Sequence, residues 1–137
     1  MDWEECNNKG IVKGVKPDMN FIKSLIISSR NKLESESRLD MSDITAASKL
    51  SLAYDSLREL LEALALKKGY KVYNHECYTA FLKEIIRESR KGDEFDDVRK
   101  VRNALNYYGK SISAEEANTV ISRIKNLRSF VSDLLEK

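Results

Sequence analysis

An arginine next to an asparagine, followed by a second asparagine and two tyrosines, is a set of side chains that could hold a phosphate. The set is Arg102, Asn103, Asn106, Tyr107 and Tyr108. A guanidinium offers a planar fork of donors that matches phosphate oxygens, and the amides add further donors. The phenols bring protons with pKa ≈ 10, usable in acid–base work only if strongly perturbed. All lie within Val98–Gly109, a stretch with the pattern of the last three turns of a helix closed by glycine. Phe95, Val98, Val101, Leu105 and Tyr108 recur every three or four positions, which is the helical period. At about 100° per residue, Arg102 falls inside that apolar arc, between the directions of Phe95 and Val98, and Asn106 projects roughly 40° away. A charge placed there must find a partner or line a cleft, because burying it unpaired is costly. The plain alternative is that Arg102 snorkels out of the core, or pairs with an acid such as Glu84 or Glu88 on the preceding helix.

Other chemistry is sparse. There is no Ser-His-Asp set, phosphate-cradling glycine loop or HExxH motif. His75 is the only histidine. It stands beside Glu76 and Cys77 in a first helical turn, where adjacent side chains do not converge on one metal. It is therefore expected to cap or pack, and no metal or other cofactor is expected. The two cysteines, Cys6 and Cys77, form no ligand pattern. Their separation permits a disulfide without indicating one, so the cysteine usage is read as that of a reducing, cytoplasmic setting. The acids of the Arg102 helix come first (Asp93, Glu94, Asp96, Asp97) and its bases later (Arg99, Lys100, Arg102). That order complements the helix dipole, and it also gathers positive charge beside Asn103 and Asn106.

The elements that must position these residues are helical. In 137 residues, 42% hydrophobic and 34% charged, with Pro 1 and Gly 5, there is little turn material for an all-β fold. The length suits one domain with a real core. A net charge of +2 is too small to argue for nucleic acid by itself. No apolar run nears the ~18 residues of a membrane span, and the acidic start Met-Asp-Trp-Glu-Glu lacks signal-peptide character. Residues 1–16 are expected to be an arm, with a short helix at Trp3–Asn7 and Trp3 docked on the body or on a second subunit. Pro17 and Asp18 suit a helix start. Met19, Ile22, Leu25, Ile26 and Leu33 follow as a stripe, widened by Phe21 and Ile27, to about Ser37. Ser42 or Asp40 would cap the longest and most apolar helix, with Ile44, Ala47, Leu50, Tyr54, Leu57, Leu61 and Leu64 on its stripe; such a helix belongs at a bundle centre. Gly69 would close it. Asn74 would cap a third helix running to Lys91-Gly92. Asp93 would start the fourth, and Ser113-Ala-Glu-Glu116 has capping-box spacing for the last. The expectation is an all-α, up-and-down bundle of four to five helices over residues 17–137, without strands.

A helical bundle with Arg-Asn and a nearby aromatic or His on its fourth helix resembles the HEPN superfamily, small helical domains of bacteria and archaea. The hallmark there is an Arg, a polar residue, a few variable positions and a His on the penultimate helix. Arg102 and Asn103 match the first two places, and Tyr107 occupies that of the His. The run Tyr54-Asp-Ser-Leu-Arg58-Glu-Leu-Leu-Glu-Ala63, then Gly69-Tyr-Lys and Asn74-His75-Glu-Cys77, also resembles a prokaryotic branch of the group. The resemblance implies a homodimer with the motif helices facing across a cleft. In active members that cleft cuts RNA without a metal. Many members are toxins neutralised by a small nucleotidyltransferase partner, and others bind nucleotides or act as scaffolds. The implied catalytic residues are Arg102 and Tyr107; the implied ligand-binding residues are Arg102, Asn103, Asn106 and Tyr108. With tyrosine in the histidine's place, any cleavage is expected to be weak or lost. His75 could substitute only if its helix runs beside that of Arg102. The alternative is a non-catalytic module that partners a nucleotidyltransferase-type protein.

Overall fold

The computed structural model describes residues 1–107 and 110–137, Tyr107 by its backbone alone. In chain order these residues form α1 (Trp3–Asn8), β1 (Val12–Gly14), α2 (Met19–Arg38), α3 (Ala46–Lys67), β2 (Tyr70–Val72), α4 (Glu76–Ala80), α5 (Ser89–Tyr107) and α6 (Ala114–Leu135). The protein is an all-α helical bundle, with six helices among the described residues and one small ribbon.

Most helix starts follow caps legible in the sequence. The Asp18 carboxylate accepts from the amides of Asn20 and Phe21, so it is the cap of α2, and Pro17 lies outside the helix. Ser42 Oγ accepts from Ile44 and Thr45 at the approach to α3. Ser113 Oγ accepts from the Glu116 amide and bonds the Glu116 carboxylate at 3.0 Å. Gly69, at φ +92°, ends α3 in the left-handed conformation open to glycine. Lys67 does not stay on its own helix end. Its ammonium donates to the carbonyls of Leu135 and Lys137 at the end of α6.

Helix α3 is the axis. Leu50, Ala53, Tyr54, Leu57, Leu60, Leu61 and Leu64 are all buried, and α2 and α6 pack along it. Ile44 is the exception to the expected stripe: it precedes the helix and is 92% exposed. Polar pairs fix how the helices run. Ser29 and Glu36 of α2 meet Ser56 and Lys49 of α3, the later residue on α2 with the earlier on α3, so those helices are antiparallel. Arg128 of α6 reaches Ser56, and Lys67 reaches the end of α6, so α6 runs parallel to α3. Lys91 of α5 lies over the Phe130 ring of α6, which sets α5 antiparallel to α6. Successive long helices alternate in direction. Where α2 crosses α3, Ser29 and Ser56 exchange hydroxyl-to-carbonyl bonds of 2.7 and 2.8 Å, and Arg128 Nε donates to Ser56 Oγ at 2.7 Å. Three helices are therefore locked by one buried, hydrogen-bonded network.

Three expectations are corrected. First, residues 1–16 fold back onto the body. β1 pairs antiparallel with β2 in the register Val12↔Val72, Lys13↔Lys71 and Gly14↔Tyr70. Strands of three residues are too short for alternation to be readable. Trp3 does dock, edge-on to Tyr70 at 5.1 Å and near Phe81. Second, Cys6 and Cys77 are joined in a disulfide, fully buried beside Val12 and Ala80. That pairing removes the free-thiol argument for a reducing compartment. Third, the break between α4 and α5 lies before Ser89 rather than at Gly92. The chain widens into a π turn at Phe81–Ile85, and Arg87 then takes a positive φ of 64°.

Gly92 lies inside α5, buried against the π turn. A Cβ there would come 2.5 Å from Lys83 Cγ and 3.0 Å from the Thr79 carbonyl oxygen. The glycine permits close helix contact and does not act as a stop. Gly92→Val should therefore lower stability by about 2 kcal/mol in urea unfolding, as overpacking does. A variant as stable as the parent would show that this contact gives way freely.

Candidate functional site

The interface of α3, α4 and α5 brings together most of the unusual chemistry. Along α3, Asp55, Arg58 and Glu62 follow one another at spacings of three and four that share one helix face, and Tyr54 stands four residues before Arg58. On α5 the same rule groups Phe95, Arg99, Arg102 and Asn106. Tyr54 is wholly buried and its ring stacks near Phe95, centroids 6.0 Å apart. Tyr78 of α4 meets Phe95 edge-on at 6.2 Å. Above this aromatic floor sit the charges.

Arg102 lies where its helical phase puts it. Its side chain is 16% exposed, and Cζ stands 5.2 Å from the centre of the Tyr54 ring, a cation–π contact. Its acid partner is Asp55 of α3, with Nη2 3.6 Å from Oδ1. The expected partners are otherwise placed: Glu84 accepts from the Trp3 amide, and Glu88 is exposed. At 3.6 Å the ion pair is longer than a good charge-assisted hydrogen bond. Arg102 Nε is buried and has no hydrogen-bond partner among the described residues. A buried donor left in this state is costly.

The neighbouring arginines are better matched. Arg99 donates to Asp96 Oδ1 through Nε and Nη2, at 3.2 and 2.8 Å, and Lys100 Nζ lies 3.0 Å from Oδ2. Burial works to raise the Asp96 carboxyl, but the hydrogen bonds from Arg99 and Lys100 outweigh it and hold the group below its ordinary value. Arg58 bonds Glu62 at 2.9 Å, one turn on. Of the three, Arg102 has the loosest partner.

His75 completes the cluster. Its Nδ1 shares a hydrogen bond of 3.2 Å with the Tyr54 hydroxyl. Burial, then the fields of Arg58, Arg102 and Arg99, push the imidazole down to about 4, so the ring is neutral at physiological pH. Burial likewise lifts the Tyr54 and Tyr78 phenols well above their ordinary range, and both stay protonated. The cluster thus presents an underused guanidinium, two further cations and a neutral imidazole able to accept a proton. A cleft of about 440 Å³ shares only Arg99 and its partners Asp96 and Lys100 with this cluster; Glu76, Glu84 and Lys83 also line it, and Arg102 and His75 do not.

The structure brings some expected residues together and separates others. Arg102 is enclosed as its position on the stripe requires, and Asn103 is half-buried, whereas Asn106 is exposed. The Tyr107 side chain, Tyr108 and Gly109 lie outside the described residues. Sequence reasoning placed His75 in a capping or packing role, while its hydrogen bond to Tyr54 sets it within the arginine cluster. The condition for a substitute role, α4 packed beside α5, is met. Arg99 entered the sequence reading only as part of the basic end of its helix, and Asp55 and Arg58 only within a longer run; the signal available was their spacing relative to Tyr54 and Phe95. Among the described residues no group of acids, cysteines and histidine could hold a metal, and no helix is long and apolar enough to cross a membrane.

Comparison with family models, with curated proteins and with solved structures finds no match to this chain. The geometry alone characterises the site: three arginines and one neutral histidine around a buried tyrosine.

Proposed function

We propose that this chain is a HEPN-like helical dimer that binds RNA or a nucleotide through Arg102, Asn103 and Asn106 in a cleft between protomers. Any ribonuclease activity, of the toxin–antitoxin kind, would be weak and metal-independent. The observation that supports it best is Arg102 Nε, buried and unpartnered beside a loosely held ion pair. A phosphate would meet that unused donor capacity with charge-assisted bonds. The second support is His75, neutral and next to the same arginine. Cleavage would form a bond from the 2′-oxygen to phosphorus and break the bond to the 5′-oxygen. The imidazole would take the 2′-hydroxyl proton, and the imidazolium so formed, disfavoured by three arginines, would return it to the leaving oxygen.

Arg102→Ala should weaken binding of a short RNA or a nucleoside monophosphate by about 10- to 100-fold, the worth of a hydrogen bond to a charged group. Fluorescence anisotropy would measure it. Unchanged RNA affinity and unchanged cleavage in that variant would sink the proposal.

The second reading is a non-catalytic module bound to a nucleotidyltransferase-type protein. The small net charge of +2 favours it, since a nucleic-acid surface is ordinarily strongly basic. Tyrosine in the place of the family's histidine favours it as well. Co-purification from the native host separates the two, since a protein recovered alone under gentle conditions counts against a stable partner.

A further inference from the structure

The ribbon of β1 and β2 carries a side-chain arrangement that the Arg102 site does not use. Val12 and Val72 face each other on the inner side, and Val12 is buried beside the disulfide. Alternation along a strand then places Lys13, Lys71 and the next residue but one, Tyr73, on the outer side. Lys13 and Lys71 are directly opposite in register, where like charges destabilise a strand pair. Neither has a carboxylate within salt-bridge distance among the described residues. Instead both ammoniums approach the Tyr73 ring, at 5.8 and 5.4 Å from its centroid. Tyr73 is 58% exposed, while its backbone is held by a 2.8 Å bond from the Tyr73 amide to the Ile11 carbonyl. The ring is thus held on a fixed backbone, open to solvent, between two cations that have no carboxylate partner among the described residues.

We infer that the outer face of this ribbon is a contact for single-stranded RNA, with Tyr73 stacking a base and Lys13 and Lys71 holding the adjoining phosphates. The inference rests on the RNA reading of the Arg102 site and narrows its ligand to an oligonucleotide. Aromatic stacking between cationic side chains is how single strands are held without sequence readout. Continuity supports it too. Tyr73 is two residues before His75, no more than about 7.6 Å away along the Cα trace, so one strand could lie on the ribbon and reach the arginine cluster.

The test compares two probes, a labelled single-stranded RNA decamer and adenosine monophosphate, on the full chain. Tyr73→Ala should weaken decamer binding by at least about 5-fold and leave the mononucleotide unaffected, while Tyr73→Phe keeps the parent affinity. Lys13→Gln with Lys71→Gln should lower the slope of log affinity against log salt by about 1.4, the value for two single-strand phosphates. Fluorescence of Trp3, the only tryptophan, would confirm that each variant is folded. If the parent binds the mononucleotide but not the decamer, or if Tyr73→Ala binds the decamer normally, the ribbon inference fails and the Arg102 reading stands. If the parent binds neither probe, both fall.

Discussion

Removing the Cys6–Cys77 disulfide is expected to lower the stability of the protein by about 2–4 kcal/mol. The bond closes a loop of 71 positions, and in the chain-entropy account a loop of that size restricts the unfolded chain by about 4 kcal/mol. The elements it fixes cannot persist alone. A helix as short as α1 is below the length that is stable in water, and a two-stranded ribbon is marginal without packing. Both depend on one small cluster, in which Cys6, Val12, Cys77 and Ala80 are buried together with Trp3, Tyr70 and Val72 against them. The Ile11 amide bonds the Cys6 carbonyl, and the Tyr73 amide bonds the Ile11 carbonyl, so the ribbon continues the disulfide's hold toward His75. Cys6→Ala with Cys77→Ala should lower Tm by about 10 °C, taking a few degrees per kcal/mol for a chain this size. Trp3 emission should shift to the red before the helical signal is lost, and the Ile11 and Tyr73 amides should lose exchange protection. Melting curves that superimpose for the parent and for protein unfolded and refolded in reductant would show that the bond adds nothing to stability. Because both sulfurs are fully buried, reductant must wait for an opening, and slow reduction of the native protein is the expected course.

The long-range character of that bond also explains what the sequence conceals. Periodicity is a local signal, and it located α2, α3, α5 and α6 because their apolar stripes extend over many turns. It also placed Arg102 on the buried arc of α5, since a phase of 100° per residue needs no knowledge of the neighbours. What the neighbours contribute is invisible at that level. Asp55 meets Arg102 only because α3 and α5 pack together. His75 meets Tyr54 across a separation of 21 positions. Cys6 and Cys77 have no spacing pattern to betray them. Gly92 was misread for a related reason: a glycine that stops a helix and one that lets two helices touch are the same residue. The distinction lies in Lys83 and Thr79, which stand in its way.

The same cluster makes its own pH dependence measurable, because His75 is the only histidine and gives an unambiguous imidazole signal. Nuclear magnetic resonance titration should place it at about 4, well under its ordinary 6.5. Burial is the larger cause, followed by Arg58, Arg102 and Arg99. The groups acting on it are Tyr54 and Arg58 on α3, Tyr78 on α4, and Arg99 and Arg102 on α5. Between pH 4 and 6.5 the unfolded chain binds a proton at this residue and the native state does not. Stability is then full above 6.5 and falls as the pH drops toward 4, by about 1–2 kcal/mol once solvent screening of the exposed part of the ring is allowed for. Asp96, held low by Arg99 and Lys100, extends the loss to more acid pH, where its carboxylate is protonated. His75→Gln should remove the loss between 4 and 6.5 and keep the more acid one. Two perturbations should raise the His75 value. Arg102→Ala deletes a repelling charge, and an added nucleoside monophosphate would screen all three arginines at once. Burial remains in both cases, so the ring should still titrate below 6.5. A histidine that titrates at its ordinary value, or that does not respond to loss of Arg102, would separate it from the arginine cluster and leave the proposed phosphate site without its proton acceptor.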